Sequence, residues 1–173
     1  KLGKNGEQLW VFANGADTSR VMHTDFVSPV KSIGHGITCN ADLKKPEEVW
    51  KVMLYLSQDI GHKLRVHELC AQGVQITVKD NGLAYKQYQT KLEIATQNSM
   101  EIAALARKLF DTNYRWNTDV RAITVRAINL VPKSTPQQLM LFDDAAKRDK
   151  RDRLDDAIEE IRGRFGKWAV YPA

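Results

Sequence analysis

A chain of 173 residues with 43% apolar content can bury one sizeable core, and its formal charge of +5 makes it mildly basic. No stretch approaches the roughly 18 apolar residues of a membrane span, and Lys1-Leu2-Gly3-Lys4 lacks the apolar centre of a signal peptide, so a soluble, cytoplasmic protein without membrane contact is expected. Cys39 and Cys70 form no Cys-x-x-Cys pair, which removes the case for a disulfide framework or a zinc ribbon and leaves buried free thiols.

The chain opens with Gly3, Asn5 and Gly6 before a short apolar helix over residues 8–13, ended by Asn14-Gly15. Residues 1–17 therefore read as the end of a preceding helical unit. Residues 18–30, with Pro29 and no sustained period, read as an extended linker. From Lys31 the pattern becomes regular. Residues 31–40 are strand-like, and Pro46, Glu47 and Glu48 suit the first turn of a helix whose stripe is Val49, Met53, Leu56, Ile60 and Leu64. Val74, Ile76 and Val78 alternate with Gln75, Thr77 and Lys79, which marks a strand with one apolar face. Asp80-Asn81-Gly82 signals a turn. A second strand follows, with Tyr88, Thr90 and Leu92 opposed to Gln87, Gln89 and Lys91. Asn98 and Glu101 resemble a capping box for a helix with a stripe of Ile102, Leu105, Leu109 and Phe110. In the last strand, residues 120–131, Ile123 and Val125 point inward, with Ala122, Thr124 and Arg126 outward.

The order strand, helix, strand, strand, helix, strand describes an α+β fold, a split β-α-β-β-α-β unit of ferredoxin-like topology with both helices on one side of a four-stranded sheet. The other face is left open. By parity it carries Gln75, Thr77, Lys79, Gln87, Gln89, Lys91, Thr124 and Arg126, which are donors and cations with no acid among them. A solvated face is one reading, since antiparallel sheets often have one. A phosphate-binding face is the other, because phosphates need donors and positive charge. No exposed aromatic is read on this face, which favours duplex backbone over base stacking.

Lys31-Ser32-Ile33-Gly34 at the start of the first strand, followed by this element order, resembles the little-finger domain of the Y-family, or translesion, DNA polymerases. The resemblance covers essentially the entire chain. It implies that the segment from Lys31 through Thr38, including His35, runs along template or primer phosphates, and that residues 1–17 are the end of the thumb. It also implies that the sheet face, with Arg121 on the last strand, grips a primer-template duplex. His35-Gly36 stands where the family often has a charged residue, and Ala122 where an Arg is frequent.

After a Pro-marked linker over residues 132–137, Gln138-Leu139-Met140-Leu141-Phe142 resembles the bacterial sliding-clamp-binding pentapeptide, in which the Gln makes hydrogen bonds and the Leu and Phe fill a pocket. Residues 143–173 hold eight acids and eight bases, so the basic excess belongs to the first 142 residues. Residues 145–166 read as a charged helix with one apolar seam, Leu154, Ile158, Ile161 and Phe165. That seam implies a partner surface: the chain's own finger, a missing thumb or palm, or another protein. The paired acids Asp143-Asp144, Asp155-Asp156 and Glu159-Glu160 read as solvated ion pairs.

His62 and His67 are five apart and do not align as ligands on one helical face, and no phosphate loop or catalytic triad stands out. The expectation is a thumb remnant (1–17), a linker (18–30), a DNA-binding little finger (31–131) and a tail with clamp hook and helix (132–173). No catalytic residue, metal ligand or cofactor is assigned. The resemblance places the palm carboxylates and their magnesium ions in a domain outside this chain, with that palm and thumb, DNA and the clamp as partners. Two other readings stand beside it, a free-standing clamp-tethered DNA-binding regulator and a ferredoxin-like protein-interaction domain.

Overall fold

The computed structural model describes residues 2–136 and 145–170, without the side chains of 145–148. The elements run α1 (Gly3–Ala13), β1 (Ser32–Leu43), α2 (Pro46–Val66), β2 (Leu69–Asp80), β3 (Tyr85–Thr96), α3 (Ser99–Asn113), β4 (Val120–Pro132) and α4 (Ala145–Phe165). No described helix is long and apolar enough to cross a membrane. The sheet has the order β1-β4-β2-β3 with every neighbouring pair antiparallel. β4 and β2 are thus the central strands, and β1 and β3 each keep one unpaired edge.

The stripe read along α2 is the one that is buried. Val49, Met53, Leu56, Ile60 and Leu64 are fully enclosed and meet Val74, Ile76, Val78, Ile123 and Val125 from the two central strands. α2 lies over β1 and β4, and α3 over β2 and β3, so both helices cover the same side. In α3, Ile102 and Phe110 are buried, while Leu105 and Leu109 flank the core and Ala103 and Ala106 complete the contact. Small residues are what allow the two helices to approach: a Cβ added at Gly61 of α2 would stand 2.2 Å from Ser99 Oγ.

Helix starts follow the expected chemistry. Glu48 accepts from the Lys44 and Lys45 amides at 2.8 and 3.1 Å behind Pro46, and Asn98 Oδ1 accepts from the Met100 and Glu101 amides at 3.1 and 3.0 Å. The Glu101 carboxylate is turned outward to Arg151 of α4, at 3.0 Å. α1 is longer than the six residues expected and buries none of its residues. The β2–β3 connection also differs. It is a four-residue loop, 81–84, in which Leu83, at φ 69°, and not Asn81 or Gly82, takes the left-handed conformation.

Candidate nucleic-acid interface

The strand register assembles the uncovered face into four rows running straight across the sheet. They are Ser32–Ile128–Gly73–Lys91, Gly34–Arg126–Gln75–Gln89, Gly36–Thr124–Thr77–Gln87 and Thr38–Ala122–Lys79–Tyr85. All eight positions assigned to this face by parity fall in these rows, together with Ser32, Gly34 and Thr38 of the first-strand motif. Neither Asp nor Glu occupies any row position. Gln87, Gln89, Lys91 and Arg126 are exposed, while Thr77, Lys79 and Thr124 are half-buried. Lys31 is exposed immediately before β1.

One row is internally bonded. Arg126 Nη1 donates to Gln75 Oε1 at 3.4 Å, and Gln75 Nε2 donates to Gln89 Oε1 at 3.0 Å. Gln75 itself is only 8% exposed, so it orients its neighbours and does not offer itself as a contact, a correction to its expected role. β1 presents a bare backbone beside this row. A Cβ at Gly34 would meet Arg126 Cγ at 3.2 Å and one at Gly36 would meet Thr124 Oγ1 at 2.3 Å, so both glycines let side chains of β4 lean over the edge strand.

Two other expected side-chain contacts are corrected, and a third residue is a cation that is already paired. Ile33 alternates onto the helix side and is part of the core. His35 points the same way: its Nδ1 lies 2.9 Å from Asp59 Oδ2, and its ring stands 6.0 Å from that of Tyr55. Both follow from the period of two, which turns residues 33 and 35 away from 32, 34 and 36, so their side chains cannot track phosphates. Arg121 is engaged by Asp42 through a paired contact at 3.0 and 3.3 Å, which neutralises its charge locally.

The face is not free of aromatics either. Tyr85, at the start of β3 and opposite Lys79, is 73% exposed. The signal is parity: 85 is two residues before Gln87 and so shares its face of the strand.

The opposite side of the domain carries a polar clasp that the sequence reading missed. Asp155 of α4 is buried, and its Oδ2 accepts from Arg65 Nη1 at 3.2 Å, Asn98 Nδ2 at 3.1 Å and the Ser99 amide at 3.2 Å. Glu159, one turn on, accepts from Arg65 Nη2 at 2.9 Å and meets His62 through Oε1. Burial pushes the Asp155 carboxyl above its ordinary value against the pull of Arg65 and the Ser99 amide. Burial also raises Glu159, but the Arg65 hydrogen bond and charge, with His62, outweigh it and hold Glu159 below its ordinary value. Arg162 donates to Gln58 at 3.0 Å, and Lys167 approaches Asp59 at 3.5 Å and lies 5.3 Å from the Tyr55 ring centre. Two of the acids read as solvated are therefore docking groups. The apolar seam is not the docking face, since Leu154, Ile161 and Phe165 remain exposed. The readable signal was the Asp155, Glu159 and Arg162 spacing of four and three, a polar stripe beside the apolar one. The clamp-hook residues Gln138, Leu139, Met140, Leu141 and Phe142 lie outside the described residues.

Comparison with known proteins agrees with this architecture. The model of the impB/mucB/samB family C-terminal domain matches residues 30–141. DNA polymerase IV of Acetivibrio thermocellus is 41% identical over 170 residues, which cover 98% of this chain and 43% of that protein. DNA polymerase IV of Desulfatibacillum aliphaticivorans is 32% identical over 172 residues, 99% of this chain and 43% of that protein. This chain thus spans less than half the length of these curated relatives. Among solved structures, a complex of the beta-clamp processivity factor and the little finger domain of PolIV matches with a TM-score of 0.50 and 19% identity, over 65% of this chain and 99% of that one. A Y-family DNA polymerase chimera matches with a TM-score of 0.53 and 14% identity, over 75% of this chain and 36% of that one. With the register, the motif and the family match in agreement, the chain belongs to the impB/mucB/samB family and carries its C-terminal domain in the little-finger fold.

Proposed function

We propose that this chain is the DNA-gripping, clamp-tethered C-terminal part of a translesion DNA polymerase. The observation that carries the reading is the uncovered sheet face, where Lys79, Lys91 and Arg126 share acid-free rows with amide and hydroxyl donors beside the bare backbone of β1. Such a surface suits phosphates in two antiparallel strands and reads no base edges, so binding has little sequence preference. The names of the relatives support a polymerase as the parent protein. The magnesium-dependent transfer chemistry of such a polymerase belongs to carboxylates outside this chain, and the chain alone binds without extending a primer. The hook at residues 138–142 is proposed to hold the parent on the sliding clamp, a reading supported by its motif and by the clamp complex of a protein of the same fold.

The test is fluorescence anisotropy of the chain with a primer-template duplex across a salt series. If about four phosphates are neutralised, log affinity falls against log salt with a slope of about −3.6. Changing Lys79, Lys91 and Arg126 together to Glu is expected to abolish binding while the circular-dichroism spectrum is retained. Binding that is unchanged in this variant, or independent of salt, would favour a protein-interaction domain instead.

A further inference from the structure

The β2–β3 turn is fixed more firmly than a surface hairpin requires. The Asp80 amide donates to Ala84 O at 2.9 Å, the Leu83 amide to Asp80 O at 3.1 Å and the Ala84 amide to Asp80 Oδ1 at 2.9 Å. The turn is also tied to the loop before β4, with the Asn81 amide donating to Asp119 O at 3.0 Å and Thr118 Oγ1 to Asp80 Oδ2 at 3.4 Å. Leu83 pays for this geometry with a left-handed backbone that a branched side chain disfavours. The outcome is a stiff mount for Tyr85, the first residue of β3, which stands directly opposite Lys79.

Tyr85 is 73% exposed, and among the described residues no ring stacks on it and no group hydrogen-bonds its hydroxyl. Several other rings of the domain have ring partners: Phe110, Tyr114 and Trp116 pack on one another, and Tyr55 lies parallel to Trp168. A single exposed aromatic is ordinary on a protein surface. One whose backbone is fixed in the last row of a cationic, donor-rich face, with Lys79 opposite it to take a phosphate, has the composition of a single-strand site, where a ring stacks on a base and a cation holds the backbone.

We propose that Tyr85 is a stacking platform for an unpaired nucleobase, so that this end of the sheet takes the single-stranded side of a primer-template junction while the inner rows hold the duplex. The inference rests on the reading of the sheet as a DNA surface, and it turns that surface from a uniform duplex grip into one that recognises a junction.

The experiment compares the full chain with Tyr85→Ser and Tyr85→Phe variants on two probes, a blunt duplex and the same duplex carrying an oligothymidine overhang. Tyr85→Ser is expected to lose on the order of tenfold in affinity for the overhang probe and less than about twofold for the blunt one, while Tyr85→Phe keeps wild-type affinity for both. Equal losses on the two probes, or no loss on either, would overturn the proposal. The Lys79, Lys91 and Arg126 to Glu variant separates the two levels of argument. If it binds both probes as the wild type does, the DNA face itself is wrong. If it loses both while Tyr85→Ser loses neither, only the stacking platform is wrong. Retained thermal unfolding of each variant shows that the fold survives.

Discussion

Individual residues on the open face act by what they leave uncovered as much as by what they offer. Gly36 has no side chain where Thr124 crosses from β4, and a Cβ there would lie 2.3 Å from Thr124 Oγ1 and 3.0 Å from its Cβ. Either Thr124 rotates or the edge strand moves. Gly36→Val is expected to lower stability by about 1–3 kcal/mol in urea unfolding and to weaken DNA binding, because the branched group both overpacks the crossing and lifts the backbone from any phosphate beside it. Unfolding midpoints and anisotropy titrations on the one variant measure both effects, and an unchanged midpoint would show that Thr124 yields freely. Gln75 illustrates the complementary case, a polar side chain that is buried among bonds to Arg126 and Gln89 and so sets the direction of a cation without being exposed itself. Parity alone put Gln75 on the correct face but could not reveal that its neighbours would close over it.

At the level of elements, the clasp that holds α4 has few apolar contacts and depends on Arg65. Its carboxylate partners respond to pH in opposite directions, so the sign follows from which one is favoured. Glu159, held below its ordinary value of 4.5, contributes docking stability that is complete above that value and is lost as pH falls through its folded value. Asp59 of α2 shifts the same way, since burial raises it but Lys63, His35 and Lys167 together hold it below 3.8; its main cations belong to α2 and β1, so it adds little to the docking of α4. Asp155, raised by burial, opposes them, its contribution being complete at low pH and lost as pH rises through its folded value. Through Glu159 the contact with Arg65 is expected to weaken as pH falls through the carboxylate range, while Asp155 works against that loss. Arg65→Ala leaves two part-enclosed carboxylates without their cation and is expected to cost about 3 kcal/mol of docking at neutral pH. Hydrogen exchange reads this directly: amides of residues 149–165 should lose protection while those of α2 keep theirs, and loss across both helices would mean that the clasp supports the whole domain. The sequence was legible where burial is apolar, since the stripes of α2 and α3 and the alternation of β2 and β4 name the core. It was illegible where burial is polar. A stripe of Asp155, Glu159 and Arg162 looks like any solvated helix face until Arg65, 90 residues away from Asp155 along the chain, is brought opposite it. Ile33 and His35 are illegible for a related reason: a motif names consecutive residues, whereas alternate residues of a strand face opposite sides.

The whole molecule separates its surfaces by side. Helices α2 and α3 and the α4 clasp occupy one side of the sheet and the cationic rows the other, so the C-terminal helix is accommodated without covering any row. This division leaves the proposed DNA face clear of the C-terminal helix, and the proposed clamp hook can be tested separately from it. Burying Leu141 and Phe142 in a partner pocket contributes on the order of 1.5–3 kcal/mol for each side chain before the ordering of the peptide is subtracted. Replacing both by Ala is therefore expected to weaken binding to a purified bacterial sliding clamp by at least about tenfold, or 1.4 kcal/mol. DNA affinity and its salt slope should be the same in the variant, because no row of the sheet includes the hook. Thermal stability should also be the same. A large fall in melting temperature would instead assign Leu141 and Phe142 to the chain's own core, and equal clamp affinities for the two proteins would remove the hook from the mechanism altogether.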